Sequence, residues 1–159
     1  MPMPEAASSP CPAADPRVVL GYDGSTSGVE VLRWAAAQAR ARSCTLEVVA
    51  CWPDPGELFV HEVPGHFSSP RNRAVADLEH AMEVTREDCV GVEVVTTVAN
   101  AHPVDALVSR CSPCDLLVVG ASDGRKPRQG LAVDQLCSLL APCRVVVVET
   151  AGRPMRATE

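Results

Sequence analysis

Several groupings in this chain hold residues able to do chemistry. Asp23-Gly24-Ser25 follows the apolar run from Arg17 to Tyr22, so a carboxylate and a hydroxyl stand on a turn at the end of a strand, where a ligand can reach both. Arg125, Lys126 and Arg128 crowd cations into one short stretch just ahead of a helix that opens near Leu131. With that helix N-terminus they offer an anion a docking point, whereas as a bare charge run they face water. Cys111 and Cys114 have C-x-x-C spacing, the pattern of a redox pair or half a zinc site. The pair falls at a helix end, where the dipole disfavours a thiolate, and no second C-x-x-C or close His pair completes four zinc ligands; it reads as structural thiols. His61 and His66 share a stretch with Glu57 and Glu62 but lack metal-ligand spacing, so they read as solvated loop residues. No nucleophile elbow, Walker loop or paired general acid and base can be assembled. Asp23 alone is no catalytic apparatus, and the chain reads as a binding module, not an enzyme.

These residues need elements to position them. Arg17 to Tyr22 (RVVLGY) is a β-branched run closed by turn residues, hence a strand. Ser27 and Glu30 suggest a capping box, and Val31, Ala35 and Ala39 recur at helical spacing as far as Arg42. Thr45 to Cys51 (TLEVVAC) is apolar without clean alternation, as in a strand covered on both faces. Trp52 to Ser69, rich in Pro and Gly, is a long loop. Beyond Pro70, the stripe Ala74, Leu78, Ala81, Thr85 and Cys89 predicts a helix. Val92 to Val98 is a third strand, His102 to Cys111 a short helix that His102 caps, Asp115 to Gly120 a fourth strand, Leu131 to Leu140 a helix, and Arg144 to Glu149 the last strand. Alternation of this kind predicts an α/β fold: right-handed crossovers, an open, doubly wound, five-stranded parallel sheet and helices on both faces. One domain is expected over residues 17–149, with a Pro/Ala-rich flexible arm at 1–16 and a flexible tail at 150–159.

Composition excludes other classes. A net charge of −6 and few aromatic residues argue against nucleic acid, which needs cations and stacking surfaces. No run approaches the ~20 apolar residues of a membrane-spanning helix. Residues 1–16 lack the basic start and apolar centre of an export signal, which predicts a cytoplasmic protein whose eight cysteines are mostly reduced core residues.

The stretch VVLGYDGSTSGVEVLRWAAAQA (Val18 to Ala39) resembles the opening of the universal stress protein (UspA-like) family, and PVDALVSRCSPCDLLVVGASDG (Pro103 to Gly124) with LAPCRVVVV (Leu140 to Val148) resembles its second half. The likeness covers about Arg17 to Glu149. It implies the adenine nucleotide alpha hydrolase-like strand order 3-2-1-4-5, in which the first and fourth strands lie side by side with their connections leaving to opposite faces. Ligands bind at the carboxyl ends of strands at such a switch point. By the same resemblance Asp23 meets the nucleoside of ATP or AMP, Val49 meets the base, and a motif G-x2-G-x9-G-[ST] wraps the phosphates.

That motif is altered here. Gly120 is in place, but Asp123 stands at the second glycine, Gly124 lies one residue late, Gly130 one early, and Leu131-Ala132 replaces Gly-[ST]. The loop is also about two residues shorter than the family form and must trace another path. A carboxylate at Asp123 repels a polyphosphate unless it holds Mg²⁺; Arg125 and Lys126 offset it. Two functions remain open: a stress-response module that senses an adenine nucleotide, and a nucleotide-independent dimeric adaptor acting through a regulatory protein partner. The resemblance also implies a homodimer through the last strand, with Val145, Val146, Val147 and Val148 near the axis, since an apolar edge strand invites pairing.

Overall fold

A computed structural model describes residues 15–52, 69–121, 132–149 and 156–158 of the chain. In chain order the elements are β1 (Arg17–Tyr22), α1 (Thr26–Arg42), β2 (Thr45–Trp52), α2 (Ser69–Val84), β3 (Val94–Asn100), α3 (Pro103–Arg110), β4 (Leu116–Gly120), α4 (Val133–Leu140), β5 (Arg144–Val148) and β6 (Arg156–Thr158). The first five strands form the expected parallel sheet in the order β3-β2-β1-β4-β5. β6 extends it, pairing antiparallel with β5 so that Val145, Val146 and Val147 face Thr158, Ala157 and Arg156. Part of the segment expected to be a tail is therefore a strand, and β5 is not the edge.

Alternation along each buried strand divides the core between the two faces. Val18 and Leu20 of β1, Leu46 and Val48 of β2 and Val118 of β4 pack under α1 and α2 with Leu32, Ala35 and Leu78. The residues between them, Val19, Val49, Leu117 and Val119, pack under α3 and α4 with Leu107 and Cys137. Leu20, Leu32, Leu46, Leu107 and Leu117 are completely buried, each contributing roughly 1.5–3 kcal/mol of transfer free energy. Such two-sided burial is why these strands lack polar alternation.

Element boundaries differ from the sequence expectation at several points, among them both ends of the expected loop, since β2 runs on through Trp52 and α2 opens at Ser69. Ser25, not Ser27, caps α1: its Oγ accepts from the Gly28 N–H at 3.1 Å while the Asp23 carboxylate accepts from the Ser25 N–H at 2.9 Å. α2 ends at Val84, and a series of turns leads to Gly91, whose φ of +79° needs no Cβ to be avoided; β3 consequently starts two residues later than its composition suggests. α4 begins at Val133, with the Gln135 Oε1 accepting from the Ala132 N–H at 3.0 Å. His102 caps α3 as expected, its Nδ1 accepting from the Val104 N–H at 3.3 Å.

At the amino ends of the strands lies a polar network that the sequence did not announce. Glu47 and Asp115 are both only 5% exposed. Arg17 holds them together: its guanidinium lies 3.0 Å from Glu47 Oε2 and 3.5 Å from Asp115 Oδ2 and donates to the Arg110 carbonyl at 2.6 Å, while its backbone N–H donates to Asp115 Oδ1 at 2.9 Å. Arg110 approaches the other Glu47 oxygen at 3.7 Å.

Candidate functional site

The carboxyl ends of the strands carry the site. β1 pairs with β4 in a register that ends at Gly21 opposite Val119, so Asp23 and Ala121 leave adjacent strands side by side. α1 departs to one face after β1; α3 and α4 cover the other. The divergence opens a cavity of about 340 Å³ at the switch point, within the roughly 300–1,000 Å³ usual for small-molecule sites.

One wall is apolar. Val49 of β2 and Val119 of β4 form its floor, and Leu107 of α3 and Val133 of α4 close over them. This approach depends on Gly21: a Cβ there would stand 2.7 Å from Leu107 Cδ1. Cys51 adds a thiol to this side, pushed up to about 11 by burial, with Arg110 opposing.

The opposite wall is polar, built by the turn after β1. Asp23 Oδ1 accepts from both the N–H and, at 2.6 Å, the Oγ of Ser25, and Ser25 Oγ meets Ser27 Oγ at 3.0 Å. Asp23, Ser25 and Ser27 all line the cavity, as does Asp134 in the first turn of α4. Behind them sits Tyr22, whose hydroxyl is pushed up by burial and by the Asp77 and Asp23 carboxylates. Gly28 lets the α1 backbone touch this turn, since a Cβ there would fall 2.8 Å from Tyr22 Cε2 and 2.9 Å from Asp23 Oδ1.

Asp23, Val49 and Gly120, selected from the sequence, thus line one cavity. Gly124, Arg125, Lys126 and Gly130, with Asp123, Arg128 and Leu131, lie outside the described residues, as do His61 and His66. Cys51, Leu107 and Asp134 were not among the site residues selected from the sequence. The C-x-x-C cysteines do not pair with each other: Cys114 is disulfide-bonded and Cys111 is a free, buried thiol. Among the described residues no group of three or more His, Cys, Asp or Glu could hold a metal, and no helix is long and apolar enough to cross a membrane. Val145, Val146 and Val148 are buried in the two cores and Val147 packs beside them, so what β5 turns outward is its backbone edge, along which β6 pairs.

The fold and the crevice define a doubly wound α/β protein with a ligand-sized cavity at its switch point. The family model of the universal stress proteins matches residues 16–149, and the chain belongs to that family. Among solved structures it is similar to a universal stress protein in complex with cAMP (23% identity over 87% of this chain and 100% of that one, TM-score 0.64). It is also similar to an Archaeoglobus fulgidus universal stress protein in complex with dAMP (23%, 84% and 97%, TM-score 0.60) and to UspA from Lactobacillus plantarum (17%, 84% and 97%, TM-score 0.59). No curated protein matches the chain.

Proposed function

We propose that this protein is a cytoplasmic stress-response module that binds an adenine nucleotide without turning it over. The observation that carries this reading is the cavity itself, of about 340 Å³, with an apolar wall of Val49, Leu107 and Val119 and a hydroxyl-rich turn at Asp23. The structures solved with cAMP and dAMP support it by analogy of fold. Asp23 accepts hydrogen bonds from the ribose end and Val49 packs on adenine. Asp23 and Asp134 give the described lining two carboxylates and no cation, so each added phosphate raises the demand for Mg²⁺ or for the Arg125 and Lys126 stretch.

Calorimetric titration with AMP, ADP and ATP, each with and without Mg²⁺, tests this. Heat is expected for at least AMP, with Mg²⁺ dependence increasing from AMP to ATP, and Val49→Trp, which fills the slot, should weaken binding more than tenfold. Absence of heat for all three nucleotides rejects the reading.

The same proposal includes a homodimer through the sheet edge at β5, with β6 competing for that edge. Light scattering of the full chain should approach twice the 16.8 kDa chain mass as concentration rises, and removal of residues 150–159 should shift that rise to lower concentration. A single-chain mass at every concentration, in both forms, overturns it.

A further inference from the structure

We propose that Cys111 and Cys143 form a peroxide-oxidisable dithiol, a modification site at the end of the sheet opposite the cavity. Three features of the backbone bring them together. Cys111 is the C-cap of α3, and the tight turn in which the Asp115 N–H donates to the Ser112 carbonyl at 2.9 Å folds it back onto the start of β4. β4 and β5 pair with Leu116 opposite Arg144, which sets Cys143, the residue before Arg144, beside that turn. Cys111, buried, and Cys143, half-buried, then share one core, and their thiols hydrogen-bond to each other.

The two sulfurs are unequal in a way that suits oxidation. The Cys143 thiol is held below its ordinary value, chiefly by that hydrogen bond and also by the Leu117 and Cys143 backbone N–H groups, against burial and the Asp115 carboxylate. Cys111 is pushed up by the same hydrogen bond, by burial and by Asp115, with Arg17 opposing. Cys143, the more exposed of the two, is the nucleophile in this proposal, and Cys111 keeps its proton until the second step. The other sulfurs in this core do not compete, since burial pushes both Cys51 and Cys137 up to about 11.

The chemistry balances with a hydroperoxide as oxidant. The Cys143 thiolate attacks the terminal peroxide oxygen and the O–O bond breaks. The leaving alkoxide, or hydroxide, takes up the proton that Cys143 had released, and Cys143 becomes a sulfenic acid. The Cys111 sulfur then attacks the sulfenic sulfur, the S–O bond breaks, and hydroxide leaves as water with the Cys111 proton. Two thiols lose two electrons to form one disulfide while the peroxide is reduced to an alcohol, or water, plus one water. A dithiol reductant reverses the change.

The full chain treated with hydrogen peroxide, alkylated and digested, should yield a peptide pair joined through Cys111 and Cys143, lighter by two hydrogens and lost on reduction. Cys111→Ser should instead leave a sulfenic acid at Cys143 that dimedone traps, with an adduct at least tenfold above the wild-type level. Recovery of Cys143 unmodified or only over-oxidised in the wild-type protein, or a crosslink from either residue to a different cysteine, overturns the proposal. The readout is independent of nucleotide, so its failure leaves the binding site untouched.

Discussion

Arg17→Ala should lower the free energy of unfolding by about 3 kcal/mol, near the lower end of what breaking a buried ion pair costs. The substitution leaves Glu47 and Asp115, each 5% exposed, without their shared cation, and it removes the 2.6 Å hydrogen bond that satisfies the Arg110 carbonyl. Two circumstances keep the loss from the top of the range. Arg110 remains 3.7 Å from Glu47, and the Arg17 side chain is itself 31% exposed, so water screens part of the attraction. Arg17→Lys retains the charge but not the planar fork that serves two carboxylates and a carbonyl together, and should lose about half as much. Urea denaturation of the three proteins measures the difference; a loss below about 1 kcal/mol for Arg17→Ala would show that the network is solvated.

A second large effect is expected at Gly28, on binding more than on stability. Valine there must displace the Tyr22 ring and the Asp23 carboxylate, since the first added carbon already lies 2.8 Å and 2.9 Å from them. Overpacking of this kind costs about 1–3 kcal/mol. More consequentially, it turns Asp23 away from the cavity and breaks its bonds to Ser25, so nucleotide affinity should fall more than tenfold. Gly28→Ala separates crowding from propensity. In a helix, alanine gains about 1 kcal/mol over glycine, so unchanged or reduced stability would mean that the contact cancels that gain. Calorimetry and urea melts of both variants decide it, and wild-type affinity in Gly28→Val would remove Asp23 from the site.

The parallel sheet was legible because its central strands are short apolar runs ended by turn residues, and the cavity because Asp23 and Gly120 stand at the two strand ends that meet there. What escaped the reading depends on neighbours distant in sequence. Glu47 and Asp115 look like ordinary polar interruptions until Arg17 is placed between them. The C-x-x-C spacing drew attention to Cys111 and Cys114, but strand register sets Cys111 against Cys143 instead. Ser27 and Glu30 imitate a capping box, yet Asp23 reaches Ser25 first and moves the cap two residues back. Arg156-Ala157-Thr158 carries no strand signal of its own, and only the waiting edge of β5 makes it one.

That last pairing has a bearing on abundance. A segment tethered to the strand it covers presents itself at a local concentration fixed by the intervening chain, while a second molecule can offer its own edge only in proportion to how much protein the cell holds. Under the dimer proposed above, sparse copies would stay closed on themselves and crowded ones exchange partners, which would let self-association report dosage without any ligand.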